Sequence, residues 1–384
     1  MSRIYKKKVA EANVWEAALD RIRTVWDMAD DVIVSFSGGK DSTVLLNAAL
    51  AIHKERGETK PLKVLFWDEE AIPMPTIDYV YREAVKENIE LHWFCMPVEH
   101  RCACSKEHDY WYPWQPEVED LWTRPLPDSK TYPKAHIWTV DNTENFRRIG
   151  VPGQNDWATK QMGCEGTVAM LVGLRAAESL RRYRIVAMKG ADALNYVSMD
   201  SQCKRIYLVK PIYDFSTEDV WTAHAVFKWD HNTSYDHQQL AGISRHDQRV
   251  CPPYGEEPLR GLYMYQICYP ELAEKMLYRV PGAATAVRYS RTAVYAFGDY
   301  GFDVEKDPEE QIEQALMRWR DDLRVKVKKR IDQEIANHKR KAPGVPIPLK
   351  KPGKTGITWD FLYMLAVRGD FKGRKTPTYD RSAS

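Results

Sequence analysis

The stretch Val32-Ile33-Val34-Ser35-Phe36-Ser37-Gly38-Gly39-Lys40-Asp41-Ser42-Thr43 decides how the rest of the chain is read. Its first part is short, β-branched and apolar, which predicts a buried strand. Beyond the Gly pair, Ser42 to Arg56 (STVLLNAALAIHKER) carries helical apolar spacing up to Gly57. Ser37–Thr43 joins the two, and its residue types suit an anion. Two glycines let the backbone turn tightly with no side chain in the way. The helix that follows offers unpaired N–H groups and the positive end of its dipole. Ser37, Ser42 and Thr43 add hydroxyls, and Lys40 adds a point charge. Asp41 is the odd member, because a carboxylate beside phosphate is repulsive unless a cation intervenes. That points to Mg²⁺ bridging Asp41 and the phosphates. The loop is not a Walker A motif, which needs a Gly five residues before Gly-Lys-Ser/Thr; Val34 stands there, and Asp41 follows the lysine.

Outward from this loop the pattern alternates. Residues 10 to 28 have an amphipathic helical period, Leu62 to Trp67 and Ile89 to Cys95 predict strands, and Pro75 to Asn88 a helix between them. The expectation is an α/β fold, a parallel sheet with helices on both faces. A Trp-, Tyr-, Pro-, Cys- and His-rich insertion at about 96–135 interrupts it. Thr167 to Val172 and Arg205 to Val209 predict further strands, and Ala176 to Tyr183 and Thr217 to Lys228 helices. Pro308 to His338 reads as one long amphipathic helix, and the last thirty or so residues as an irregular or partly ordered tail. The division drawn is 1–230 for the nucleotide-binding α/β domain, 231–340 for a mainly helical region, and 341–384 for a basic tail.

Composition removes several classes. With 384 residues, 44% hydrophobic, the chain can bury a core and is not disordered as a whole. A mean hydropathy of −0.54 and the lack of a long uncharged apolar run argue against a membrane span. The first residues are basic with no apolar core behind them, so no secretory signal is expected. Seven cysteines in so long a chain fit a reducing cytosol, and the expected location is cytoplasmic. The net charge of +2 selects no partner.

Four ordered segments carry a family resemblance. Ser37-Gly38-Gly39-Lys40-Asp41-Ser42 resembles the pyrophosphate loop of the adenine nucleotide alpha hydrolase (PP-loop ATP pyrophosphatase) superfamily. Phe66-Trp67-Asp68-Glu69-Glu70 sits where the phosphoadenosine phosphosulfate (PAPS) reductase branch has Asp-Thr-Gly. Gly173-Leu174-Arg175-Ala176-Ala177-Glu178-Ser179-Leu180-Arg181-Arg182 looks like that branch's Gly-x-Arg-x-x-Glu-Ser-x-x-Arg. Lys210-Pro211-Ile212-Tyr213-Asp214-Phe215-Ser216-Thr217-Glu218-Asp219-Val220-Trp221 resembles its Pro-Ile-x-Asp-Trp-Thr-x-x-Asp-Val-Trp. Beyond residue 225 or so the chain resembles only immunoglobulin-binding regulator A-like proteins of bacteria and phages. The resemblance implies that ATP and Mg²⁺ are bound. Lys40, Asp41 and Arg175 would be catalytic. Ser37, Gly38, Gly39, Ser42, Thr43, Asp68, Glu178, Ser179 and Arg182 would hold the nucleotide, and Asp41 and Asp68 would hold the metal. It also implies a ParB/sulfiredoxin-like companion protein.

Reduction fits the residues poorly. A sulfonucleotide reductase needs a thiolate on a C-terminal segment, yet the last cysteine is Cys268, and there is neither an adjacent Cys pair nor a Cys-x-x-Cys. The expected reaction is cleavage of ATP between its α- and β-phosphates, with adenylyl transfer and release of pyrophosphate. A nucleic-acid sulfur-modification enzyme and a non-catalytic nucleotide sensor are the alternatives. Cys95, His100, Cys102, Cys104 and His108 cluster without matching a zinc or iron–sulfur framework, so a metal–thiolate site is not favoured. The aromatics from Tyr110 to Trp122 read as a satellite core or partner surface. Between Arg318 and Lys354 thirteen Lys and Arg stand against four Asp and Glu. Such a run suits either nucleic-acid phosphates or a solvated helix face. Oligomeric state is left open.

Overall fold

The computed structural model describes residues 13–105, 108–178, 182, 194–245, 248–250, 254, 262–289, 301–351, 353 and 355–369. The decisive stretch forms β1 (Asp31–Ser35), whose middle three residues are buried. It lies at the centre of a seven-stranded sheet. Its neighbours are β2 (Leu62–Trp67) and, further out, β3 (Ile89–Phe94). The insertion contributes a small antiparallel pair, β4 (His100–Arg101) with β5 (Tyr110–Trp111). Where it ends, the edge strand β6 (Ala135–Trp138) pairs in parallel with β3. On the other side of β1 come β7 (Val168–Val172), then β9 (Ile206–Val209), with β8 (Val197–Met199) as the antiparallel edge. The order is β6-β3-β2-β1-β7-β9-β8, so chain direction across the sheet reverses at β1. Crevices at such a reversal, beyond the carboxyl ends of the strands, are where open α/β sheets bind ligands.

Period-two alternation builds two cores from the same strands. Val32, Val34 and Phe36 face one layer and Ile33 the other. The first layer receives α1 (Val14–Trp26), started by a reciprocal Asn13–Glu16 capping box, α2 (Lys40–Glu55) and α3 (Met74–Ala84). The second receives α4 (Val151–Gln161) through Ala158. The helix that the sequence carried on to Asn88 is over by Ala84, capped at Val85, and Asn88 itself has φ of 65°. The helix read at Ala176 to Tyr183 is a single turn over Ala176–Glu178, and most of its remainder lies outside the described residues. The chain continues with α5 (Thr217–Phe227), α6 (Ser234–Leu240), α7 (Leu262–Cys268), α8 (Pro270–Arg279) and α9 (Ala283–Tyr289).

Two compact units are present: Met1–Ala103 with Tyr110–Ala283, and Cys104–Asp109 with Ala284–Ser384. In the second, the single helix expected over Pro308 to His338 is two, α10 (Pro308–Leu316) and α11 (Asp321–Lys341). The break brings Trp319 inward, where its Nε1 donates to the Ala366 carbonyl at 2.7 Å. Ala366 belongs to α12 (Trp359–Arg368), inside the stretch expected to be tail. Leu362, Leu365 and Ala366 pack fully buried against Ile312, Leu316 and Val327, so this helix completes the unit's core. Among the described residues, no helix is long and apolar enough to cross a membrane.

Candidate functional site

β1 and β7 run in register to their ends, with Ser35 opposite Val172. That register sets the loop after β1 beside Gly173-Leu174-Arg175. The approach is close: a Cβ on Gly173 would stand 3.1 Å from the Ser42 amide nitrogen. Gly38 has φ of +70°, and a Cβ there would meet Val80 Cγ2 at 2.8 Å. Gly38 is therefore required by geometry, and Gly173 lets the two backbones approach closely.

Within the loop, Ser37 Oγ and Ser42 Oγ are 3.1 Å apart, and Ser42 and Thr43 hydroxyls donate to the Gly39 carbonyl at 2.9 and 3.0 Å. Thr43 Oγ1 also lies 2.8 Å from the Tyr79 hydroxyl. Lys40 begins α2, so the amides of Asp41 and Ser42 have no carbonyl inside the helix to reach. The N-cap residue, Gly39, has no side chain to accept from them.

Arg175 is buried and its Nε donates to Asp41 Oδ1 at 2.5 Å, across 134 residues of chain. Lys40 Nζ lies 3.8 Å from the other Asp41 oxygen. The carboxylate that made the loop look repulsive to phosphate is thus neutralised by two protein cations. Glu178 accepts from the Arg175 amide at 3.3 Å and from Arg182 Nη1, holding that guanidinium one turn away. Ser179 lies outside the described residues. In the fourth motif, Ser216 and Asp219 form a capping box for α5, while Asp214 pairs with Arg21.

Asp68 has a different setting. It is 1% exposed and its two oxygens accept from Arg124, from Trp93 Nε1 at 2.7 Å and from the Glu70 amide at 2.9 Å. Such a carboxylate has nothing left for the ribose or magnesium contact expected of it. The residues do not fit a magnesium held jointly by Asp41 and Asp68: one is paired with Arg175, the other sealed by Arg124. Among the described residues no group of three or more His, Cys, Asp or Glu is placed to hold a metal ion. Cys95 donates to Asp68 and burial pushes its thiol well above the ordinary range, whereas Cys164 lies 3.7 Å from Lys63 Nζ. Cys203 pairs with Asp156, and Cys268 with the His237 carbonyl.

Several site residues carry no motif. Tyr235 is buried and its hydroxyl accepts the Lys40 amide at 2.9 Å. Lys40 Nζ sits 5.2 Å from the Tyr235 ring centroid and donates to the Gln248 carbonyl at 2.9 Å. Asn232 Nδ2 donates to the Gly38 carbonyl, also at 2.9 Å, and His224 Nε2 to the Lys40 carbonyl at 3.1 Å. Burial lowers the His224 pKa, consistent with a neutral ring that donates from one nitrogen. No local pattern announces this cover, because a lone Tyr, Asn or His is too common a residue to read.

Compared with known families, residues 31–236 match the phosphoadenosine phosphosulfate reductase domain, more than half of the chain. The chain belongs to that family. The PAPS reductase domain so defined takes in the loop, Asp68, the Arg175 segment, Asn232 and Tyr235. A relative in Escherichia coli (strain K12), the uncharacterized protein YbdN, is 31% identical over 288 residues, covering 72% of this chain and 68% of its own. Among solved structures, phosphoadenylyl-sulfate reductase from Candida auris is similar at 14% identity and a TM-score of 0.31, over 60% of this chain and 93% of that one. Candida glabrata FMN adenylyltransferase is similar at 12% identity and a TM-score of 0.34, over 60% and 63%.

Proposed function

We propose that this PAPS reductase-family domain binds ATP, cleaves it between the α- and β-phosphates and passes the adenylyl group to an acceptor. One observation carries the reading: Arg175, three residues past the end of β7, is drawn onto Asp41 of a phosphate-type loop at the sheet's reversal point. In this mechanism the β- and γ-phosphates lie against the amides of Asp41 and Ser42 and the hydroxyls of Ser37 and Ser42. An acceptor oxygen attacks the α-phosphorus in line. The bond to the bridging oxygen breaks, and pyrophosphate leaves with the electron pair. Charge growing on it is met by Arg175 and the positive end of α2, groups already in place before the reaction, and by Lys40 once its ammonium has turned from the Gln248 carbonyl. Positioning does the rest. Lys40 has to leave the Gln248 carbonyl to reach a phosphate, so binding exchanges that hydrogen bond for one to the nucleotide.

The test is incubation of α-labelled ATP and magnesium with candidate acceptors. Labelled AMP or an adenylylated product is expected, with Lys40→Ala about 10²-fold slower, the size of effect of deleting one oxyanion donor. Labelled ADP would place cleavage at the wrong phosphorus and end this reading.

A further inference from the structure

In the second unit, α11 is 21 residues long yet buries only Leu323, Val327, Ile331, Glu334 and His338, one stripe three or four residues apart. Val327 and Ile331 pack against Leu362 and Leu365 of α12, so the apolar side of the helix is used up inside the unit. The rest of its surface is polar and charged.

Those charges do not balance. Four acids stand on the helix, and each already has a cation: Asp321 with Arg324 at 2.5 Å, Asp322 with Arg320 at 3.3 Å, Asp332 with Lys328 at 3.6 Å, and Glu334 with Arg330 at 2.5 Å. Lys326, Lys329, Lys339, Arg340 and Lys341 are exposed and have no acidic partner among the described residues. Arg340 bonds the neutral Asn337 side chain at 2.9 Å. The last three sit in the final turn, where the negative end of the helix dipole favours cations. Lys326 and Lys329 lie in the first half of the helix, out of its reach, and have no such local reason.

The helical period puts the surplus on one side. Lys326, Gln333 and Arg340 are spaced by close to two turns and form one line, with Lys329 and Ala336 beside it. All five are exposed, none is acidic, and at 1.5 Å per residue the line runs about 21 Å. At its far end His338 donates to the Val345 carbonyl at 2.9 Å and accepts from the Thr355 hydroxyl at 2.6 Å, which ties the following loop back to the helix. That loop carries two further exposed cations, Lys350 and Lys351. Cations in a row with an amide between them match a polymer of phosphates with base edges behind it, and one α-helix fits the major groove of DNA, about 12 Å wide. An anionic membrane would need an apolar face beside the cations, and here that face is in the core.

We propose that α11 lies along the major groove of duplex DNA, with Lys326, Lys329, Arg340 and Lys341 on phosphates and Gln333 between them toward the base edges. This contact does not depend on the adenylyl chemistry proposed above.

Fluorescence anisotropy of the full chain with a short labelled DNA duplex tests it. Four phosphate contacts give a slope of log K against log salt of about −3.6, or about 150-fold weaker binding from about 50 to about 200 mM salt. Lys326→Gln with Arg340→Gln removes two contacts at exposed positions, and should bring the slope to about −1.8 without moving the urea midpoint. Lys130→Gln with Lys134→Gln takes the same charge from exposed positions of the first unit, and should leave the slope unchanged. Duplex RNA, whose major groove is too deep and narrow for side chains to read, should bind at least about fivefold weaker. No DNA binding at about 50 mM salt, equal slopes in the two double variants, or RNA bound as tightly as DNA would overturn the proposal. So would phosphatidylserine vesicles that bind through Lys326 and Arg340 while DNA does not, by giving this face to a membrane.

Discussion

The ends of β1 and β2 lie side by side in one parallel sheet, and each delivers a carboxylate in a sequence that looks built for nucleotide. Their surroundings differ. At the end of β1, Asp41 faces two cations at a helix start whose first amides remain unpaired inside the helix. At the end of β2, Asp68 is enclosed by Arg124, Trp93 and Cys95, and Glu70 next to it by Arg279 at 2.8 Å and by the Trp114 and Thr123 amides. Glu70 even accepts φ of 60° to turn back into this network. One strand end leaves the first amides of α2 without an acceptor inside the helix; the other uses its carboxylates to pin the aromatic insertion to the sheet. A carboxylate at a strand's carboxyl end therefore says little until its partners are known, because burial among donors turns it into a clamp.

That contrast can be broken or sharpened in four ways. Removing the clamp should cost most. Arg124→Ala leaves the Asp68 charge buried and unpaired, and urea unfolding should show a loss of about 3–5 kcal/mol. A loss below about 1 kcal/mol would mean that Asp68 is not sealed. Next comes the loop backbone: Gly38→Ala forces a side chain into positive φ and onto Val80, with an expected loss of about 2 kcal/mol and weakened nucleotide binding. Normal stability in that variant would show that the turn is not held as described.

A smaller effect should appear with pH. Burial pushes His100 and His92 down to about 4, so both fold neutral, and their contribution is complete above about 6.5 and lost as pH falls from there toward 4. Glu69, 3.6 Å from His100, is pushed up to about 8 by burial and the Asp68 charge, so it folds protonated. Its contribution is complete below about 4.5 and lost as pH rises from 4.5 to 8. Together these groups place maximum stability near pH 6.5, with limbs of about 1.4 kcal/mol per pH unit on either side. Glu69→Gln should flatten the alkaline limb; an unchanged limb would refute the assignment. The smallest effect is at the cover. Tyr235→Phe deletes the acceptor of the Lys40 amide, and should cost about 1 kcal/mol in stability while tightening nucleotide binding a few-fold. Weaker binding would make the Tyr235 hydroxyl a ligand contact instead.

Local pattern was enough for the parallel sheet and for the turn between β1 and α2, because each shows itself within a few residues as a period or a Gly pair. Partner choice was not legible. Arg279 reaches Glu70 across 209 positions, Asn232 reaches Gly38 across 194, and Trp319 turns a helix expected to be continuous into two by docking on α12. An isolated sequence states which groups carry charge or hydroxyls; only the packed chain decides whether those groups answer one another or are left for a ligand. The physical reason is that burial sets the worth of every polar contact, and burial is created by elements far apart in the chain.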